Sequence, residues 1–304
     1  ITTGISAKER AITAKHIANP NSQPTDFIKP GHLFPVVAKI NGVLVRQGHT
    51  EAAVDLCKLT GHEPAAIICE VMDDDGNMMR RNELFEFAKR LDLKAISIQQ
   101  LVDYRNQSEN HILFVSKSLL PTSFGNFDIE VYENILSGDE HVLISMKNNS
   151  NKPIVRIHSE CLTGDIFGSL RCDCQQQLHS ALSLIAENGH GYIVYLKGQE
   201  GRGIGIGNKI AAYALQEKGL NTYEANEKLG LPKDNRNYTE AIWMLKALSI
   251  NDFYLLSNNP DKINAITKAG FLFNILQVGV TQTTHNQQYL SDKIEIGKHT
   301  IKFN

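Results

Sequence analysis

A chain of 304 residues, 42% hydrophobic and 21% charged, has an ordinary globular composition and the length for two hydrophobic cores. Its formal net charge of -2 gives no support for a surface built around nucleic-acid phosphates or anionic lipid, and leaves small anionic ligands in a local basic pocket open. No run approaches the roughly 18 apolar residues of a membrane helix, and the N-terminus lacks the charged-then-apolar pattern of a secretory signal, so a cytoplasmic protein is expected. The chain begins at Ile1 rather than Met, which reads as a fragment of something longer.

In chain order, two isolated cysteines come first. Cys57 in AAVDLCKLTG and Cys69 in AAIICEVM each sit in an apolar run where a small buried hydrophobe serves, and both are expected in a core. The helix-like IQQLVDYR then gives way to polar residues, which places a linker between Gln107 and His111, and KSLLPTSFGNF begins new strands. Two domains follow, residues 1–106 and 110–304. VRIHSE (155–160) is a strand candidate that delivers Arg156 and Glu160 beside Cys161.

The next stretch, SECLTGDIFGSLRCDC, crowds Cys161, Cys172 and Cys174 together in a chain with five cysteines in all. A reducing cytoplasm does not favour a disulfide framework, which leaves metal binding or redox chemistry for these three. Cys172 and Cys174 flank a single residue, too tight for a CxxC structural knuckle, and no fourth cysteine follows. Three thiolates without a fourth ligand describe an open zinc site, in which water takes the last position and is acidified to a pKa of about 7. Three reduced cysteines near a turn are the plainer alternative, and the spacing leaves it open.

GYIVYL (191–196) reads as a buried strand that runs into KGQEGRGIGIGNK, whose glycines precede a helical pattern, KIAAYALQEKG. Strand, glycine loop and helix form a phosphate-cradling arrangement: glycines let backbone N–H groups approach an anion, the helix N-terminus adds its dipole, and Arg202 and Lys209 add charge. The loop is neither a Walker A motif nor a clean GxGxxG, and a tight strand-to-helix turn explains its glycines as well. Further on, GLPKDNRNY carries Asp234 and Arg236 in an irregular polar loop, and DFYLLSNNPDK is a strand ending at Ser257, with Lys262 beyond it. Strands that end in polar loops are where α/β folds place their sites. Residues after about 285 are expected to form a tail or an edge strand.

Together and in this order, SECLTGDIFGSLRCDC, YLKGQEGRGIGIGNKIAAYALQ, TYEANEKLGLPKDNRNY and LLSNNPDK resemble GTP cyclohydrolase II, the zinc enzyme that opens riboflavin synthesis. The resemblance covers about residues 110–280. It implies that Cys161, Cys172 and Cys174 hold one zinc ion per subunit. It places GTP contacts on Arg156, Ile157, His158, Ser159, Glu160, Gln177, Glu200, Gly201, Arg202, Thr222, Ser257 and Lys262. Asp234 matches the family's proton acceptor and Arg236 its nucleophile toward the α-phosphate. Ser257 stands where a threonine is common in the family, and the hydroxyl is retained. Tyr213, on the helix after the glycine loop, is a candidate hydrogen-bond donor near the zinc or an aromatic packed on a helix face. The chemistry implied is attack of zinc-activated water on C8 of the guanine, ring opening and loss of the carbon as formate, with Mg²⁺-assisted release of pyrophosphate.

Before this region, FIKPGHLFPVVAKINGVLVRQGHTEAAVDLCKLTG and PAAIICEVMDDDGNMMRRNELFEFAKRLDLKAISIQQLVDYR resemble the second half of 3,4-dihydroxy-2-butanone 4-phosphate synthase, an enzyme often fused ahead of GTP cyclohydrolase II. The resemblance implies that His49 is a Mg²⁺ ligand, that Arg46 and Thr50 contact the sugar phosphate, and that His32 and Glu70 support catalysis. The family's acidic loop, with the other Mg²⁺ ligand and the acid/base carboxylates, corresponds to sequence upstream of ITTGISAKER. One histidine and one glutamate make a poor site for a hard cation that wants near-octahedral oxygen ligands. This half is therefore expected to be inactive as given, the lyase activity requiring the upstream segment, and to leave sheet edge and core exposed.

The expected fold is α/β throughout, an incomplete first α/β domain followed by a mixed-sheet domain. The expected substrate is GTP, with no nucleic-acid or membrane partner, and the family implies a homodimer. A zinc nucleobase deaminase also pairs thiolates with a glutamate, and HSE at 158–160 imitates its HxE, but its signature continues as PCxxC where this chain has RCDC. A non-catalytic regulator binding nucleotide through a degenerate site is the other class. Formate release and zinc content separate the three.

Overall fold

Ser6 and Ser97 each accept the backbone N–H of the residue three places on, at 3.2 Å in both cases, which is the arrangement that starts a helix. They precede the first and last of four helices, α1 (Ala7–Ile17), α2 (His49–Leu59), α3 (Arg81–Arg90) and α4 (Ile98–Ser108). This computed structural model describes residues 2–148 and 150–303, and the chain divides into two units between Glu109 and Asn110. In the first unit Val43, Leu101 and Val102 are buried, with Leu44, Ala52 and Ile98 packed against them. Arg105 donates to Asp55 Oδ2 at 2.9 Å and to the Asn41 carbonyl at 2.8 Å, and the same carboxylate oxygen accepts the Val43 N–H at 2.8 Å. HLFPVVAK and AAIICEV form no strand ladder; among the described residues of this unit the pairing is a single Met72–Met78 bridge. Phe34, Val37 and Ile40 are consequently 86%, 88% and 86% exposed. Cys69, expected in a core, lies in one of these unpaired segments and is exposed, while Cys57 on α2 is half-buried.

In the second unit the strands are β1 (Ile112–Thr122), β2 (Gly125–Asn134), β3 (Glu140–Lys147), β4 (Ile154–Ser159), β5 (His190–Leu196), β6 (Asp252–Leu256) and β7 (Leu272–Leu276). They form one sheet in the order β1-β2-β3-β5-β4-β6-β7. The pairs from β1 through β3 to β5 are antiparallel, and those from β5 through β4 and β6 to β7 are parallel. Parallel neighbours need long crossovers. α5 (Cys174–Asn188) joins β4 to β5; a single turn α6 (Glu200–Gly203), α7 (Ile206–Gln216), α8 (Thr222–Lys228) and α9 (Thr239–Ala247) lead to β6; α10 (Pro260–Lys268) leads to β7.

Side-chain alternation sorts β4 between two cores. Val155 and Ile157 join Val194, Phe253 and Leu255 against Ala241, Met244 and Leu245 of α9. Ile154 packs with Ile193 and Leu256 against Ala181, Leu182 and Ile185 of α5 on the other face. Each fully buried aliphatic or aromatic side chain contributes about 1.5–3 kcal/mol relative to exposure. By the same alternation Arg156 and His158 share the α5 face with Ile154.

The C-terminal segment is only in part the tail or edge strand expected after residue 285, a short strand at 302–303 coming after a helix. It forms a helix, α11 (Gln287–Glu295), because Leu290 finds a buried position at 1% exposure. Beside it, β8 (Gly279–Val280) pairs in parallel with β9 (Lys302–Phe303). No helix among the described residues is long and apolar enough to cross a membrane.

Gly191 marks the tightest approach among these layers. A Cβ there would lie 2.6 Å from the Ile154 carbonyl oxygen and 2.7 Å from Ile185 Cγ1. Gly191→Ala is expected to push β5 away from β4 or α5 and to lower stability by about 1–3 kcal/mol, read as a lower urea midpoint of the second unit.

Candidate active site and metal centre

β5 and β6 flank β4 on opposite sides and run parallel to it, so the chain switches sides at the carboxyl ends of these strands. A crevice at such a point is where open α/β sheets bind ligands. Here the segments after β4, β5 and β6 bring Glu160 and Cys161, Gln199, Gly201 and Arg202, and Ser257 to Asn259 to one cavity.

The three clustered thiols meet at this cavity. Cys161 Sγ lies 3.8 Å from Cys172 Sγ, and the ligand atoms of Cys161, Cys172 and Cys174 all lie within 4.8 Å of one another. Tetrahedral coordination at about 2.3 Å from zinc to sulfur sets sulfurs about 3.8 Å apart, so these donors fit that ion. Among the described residues no other group of three or more Cys, His, Asp or Glu side chains is gathered this closely. A wide helical turn at Leu162–Ile166 folds the chain back from Cys161 toward Cys172. Gly164 is what permits it: a Cβ there would lie 2.8 Å from Cys172 Sγ and 3.1 Å from Cys161 Sγ. Asp165 braces the turn, accepting the Cys161 N–H at 3.0 Å and the Tyr195 hydroxyl at 2.9 Å, and meeting His158 Nε2 at 3.1 Å.

Lys209 Nζ stands 3.1 Å from Cys161 Sγ, 2.7 Å from Thr163 Oγ1 and 2.5 Å from Glu200 Oε1. Hydrogen bonds from the other two thiols, then the Lys209 charge, hold Cys161 well below the usual thiol range. Cys172 is pushed up to about 11, chiefly by its hydrogen bond to Cys161, and Cys174 is raised by both neighbours and by burial. At neutral pH the trio therefore carries one thiolate and two thiols.

The opposite part of the cavity is cationic. Arg156 donates to the Leu256 carbonyl at 3.0 Å and to Gln177 Oε1, and Lys262 Nζ donates to the Ile157 carbonyl at 2.8 Å. Burial, then the charges of Arg156, Arg236 and Lys293, drives the Lys262 pKa well below the ordinary lysine value. Arg156 Nε and His158 Nδ1 are buried with no protein partner, although both residues line the cavity. Crowded cations and unused polar atoms in one crevice suit a polyanionic ligand. Arg202, held at φ 68, lays its guanidinium 4.4 Å from the Tyr223 ring centroid. Asp234 Oδ1 accepts Arg236 Nε at 2.9 Å. Burial alone would raise the Asp234 pKa; the Arg236 hydrogen bonds and charge, with Arg202, outweigh it and keep the carboxyl below its usual range. Arg236 is raised in turn, its contact with Asp234 outweighing burial.

Of the GTP contacts expected from sequence, all but Ile157 and Glu200 line this cavity. Ile157 faces the α9 core by strand alternation and offers its carbonyl to Lys262. Glu200 is turned inward, accepting the Leu162 N–H at 2.6 Å as well as Lys209. Asp234 stands behind Arg236, outside the cavity wall. Tyr213 lines the cavity with its hydroxyl 3.4 Å from Thr163 Oγ1, and Arg171 lies 4.8 Å from its ring centroid. Thr222 gives its N–H and hydroxyl to Asp292 Oδ2 at 3.0 and 2.8 Å. Sequence reasoning missed Asp165 and every cavity residue of the C-terminal segment. Asp165 was within reach, four residues after Cys161 in the same motif; Tyr289, Lys293 and His299 had no local signal.

In the first unit, His49 and Thr50 open α2, and Arg46 pairs with Glu51 at 3.3 Å. His32 Nδ1 lies 2.7 Å from the Thr3 carbonyl oxygen, and Glu70 is exposed in a segment without regular structure. Among the described residues no hydrogen bond or ion pair joins His32, His49 and Glu70 to one another.

Residues 114–274, more than half of the chain, match the family model of GTP cyclohydrolase II. The chain belongs to the GTP cyclohydrolase II family. Residues 1–104 match the model of 3,4-dihydroxy-2-butanone 4-phosphate synthase. The riboflavin biosynthesis protein RibBA of Aquifex aeolicus is 48% identical over 297 residues, covering 96% of this chain and 73% of that protein. RibBA of Bacillus cereus is 47% identical over 305 residues, covering 99% of this chain and 76% of that protein. Among solved structures, RibBX of A. baumannii, a two-domain 3,4-dihydroxy-2-butanone 4-phosphate synthase, is similar with a TM-score of 0.57 at 28% identity, over 91% of this chain and 73% of that one. The protein is thus an enzyme of riboflavin biosynthesis with a GTP cyclohydrolase II domain.

With two of the three thiols protonated at neutral pH, a thiolate-binding metal must displace about two protons. Apparent zinc affinity is expected to rise steadily with pH across the neutral range, toward the raised thiol pKa of about 11, and to fall in acid. Zinc titrations against a competing chelator at several pH values, with proton release followed by an indicator, check both sign and count.

Proposed function

We propose that residues 110–304 hydrolyse GTP to 2,5-diamino-6-(5-phosphoribosylamino)pyrimidin-4(3H)-one, formate and diphosphate, with zinc held by Cys161, Cys172 and Cys174. The observation that carries this reading is the opening of a zinc-sized thiol triangle and a buried cation cluster into one crevice. When bound, zinc there supplies a Lewis acid that activates water toward the guanine ring carbon. Arg156, Arg202 and Lys262, aided by Mg²⁺ on the triphosphate, offset the nucleotide's charge. Tyr213 holds a hydroxyl near the thiols for the ring-opening half.

Arg236 is the proposed nucleophile at the α-phosphorus, and as a guanidinium it must first lose a proton. Asp234, hydrogen-bonded to its Nε, is the acceptor. The new N–P bond forms as the P–O bond to diphosphate breaks, and water then cleaves the N–P bond. The domain is proposed to work as a cytoplasmic homodimer, a reading supported by family membership.

For residues 1–106 we infer no turnover by this chain alone. His49 and Glu70 supply one imidazole and one exposed carboxylate, too few oxygen ligands for Mg²⁺. GTP with Mg²⁺ is expected to yield formate with zinc-loaded protein, while ribulose 5-phosphate with Mg²⁺ in a separate incubation yields none. Cys172→Ser is expected to lose zinc and GTP-derived formate together. Full turnover after zinc removal contradicts the first part, and dihydroxybutanone phosphate from ribulose 5-phosphate contradicts the second; ammonia in place of formate turns the reading to a deaminase.

Arg236→Lys keeps the charge as a point ammonium without the planar donor set. It is expected to bind GTP but fail to release diphosphate, measured by a coupled pyrophosphate assay. Near-normal release would leave Arg236 as a phosphate clamp.

A further inference from the structure

The family match ends at residue 274, and the cavity does not. Tyr289 and Lys293 of α11, and His299 beyond it, complete the wall. We propose that α11 is a working wall of the nucleotide site and that Lys293 is a positioning residue for GTP, acting through Asp173; the inference rests on the GTP reading above.

Lys293 is 7% exposed, and its Nζ lies 2.6 Å from Oδ1 of Asp173, which is fully buried between Cys172 and Cys174. The other Asp173 oxygen accepts Gln177 Nε2 at 2.6 Å, and Gln177 Oε1 accepts the guanidinium of Arg156. Lys293, Asp173, Gln177 and Arg156 thus form one chain of charge-assisted hydrogen bonds from α11 across the start of α5 to β4. It orients two of the side chains assigned to GTP. It also neutralises a carboxylate that would otherwise sit uncompensated beside a polyanion, since a buried charge stripped of its partner is costly.

α11 is attached at other points as well. Asp292, the neighbour of Lys293, accepts the N–H and hydroxyl of Thr222 at the start of α8. Past the helix, the Thr300 N–H donates to the Asn258 carbonyl at 3.2 Å, next to Ser257. The segment therefore spans the cavity from the cysteine loop and α8 to the end of β6. A bound nucleotide, held by the same residues, has to stabilise the docked helix, because binding and docking share the free energy.

The test uses zinc-loaded full-length protein and its Lys293→Met and Lys293→Arg variants. GTP affinity is read by calorimetry, and KM and kcat by formate release. Lys293→Met is expected to retain zinc and to weaken GTP binding and raise KM by about tenfold or more, with a smaller change in kcat. Lys293→Arg is expected to recover most of that loss, as the ion pair is restored. Trypsin cleavage after Lys298, which is exposed, is expected to slow when GTP is added to wild type and to need about tenfold more GTP for the same slowing in Lys293→Met. Wild-type protein that binds GTP while Lys293→Met binds it equally overturns the inference alone. Weakened binding that coincides with loss of zinc, or that arginine fails to recover, reduces Lys293 to a structural role and also overturns it. Wild-type protein that retains zinc yet binds no GTP overturns the proposed function and this inference together.

Discussion

The site depends on the parallel triplet in which β4 lies between β5 and β6. Parallel pairing aims the carboxyl ends of all three strands the same way, so residues far apart in the chain emerge side by side. Cys161, Arg202 and Ser257 share a cavity for that reason. The antiparallel half of the sheet, β1 to β3, contributes no residue to that wall; it extends the hydrophobic layers that hold β5 in register.

Within the crevice, opposite charges are kept apart by short ties to different supports. On one side a thiolate is matched by Lys209, and Lys209 by Glu200, which also fastens the turn after Cys161. On the other, Lys262 has a carbonyl for its partner and three cations for neighbours. Burial and those neighbours disfavour the charged form of Lys262, and an anion in the crevice restores it. Asp234 and Asp173 moderate the field, Asp234 by pairing with Arg236 and, at 3.9 Å, with Arg202, and Asp173 by pairing with Lys293.

The first unit shows the same physics with fewer partners. Its small core of Val43, Leu101 and Val102 is organised by a buried Arg105–Asp55 pair, while Phe34, Val37 and Ile40 keep their side chains in solvent. The apolar run around Cys69 reads as part of a core, but an apolar segment is buried only by neighbours. Without a ladder, burial inferred from composition fails, and Cys69 is exposed for that reason.

Local chemistry was legible from the sequence by itself: the three thiols at metal-binding density, the strand candidate VRIHSE and the buried strand GYIVYL, the glycine loop, and the basic and hydroxyl residues at strand ends. These depend on contacts within a few residues, or on patterns that burial imposes along a strand. Tertiary structure alone decided which of those residues face the cavity. Strand alternation turned Ile157 away, a buried ion pair turned Glu200 inward, and Asp234 came to stand behind Arg236. It also decided that the segment after residue 285 is a helix that returns to the site. The pairing of Lys293 with Asp173 joins residues 120 positions apart, and no periodicity along the chain encodes a contact whose only cause is the shape of the folded core.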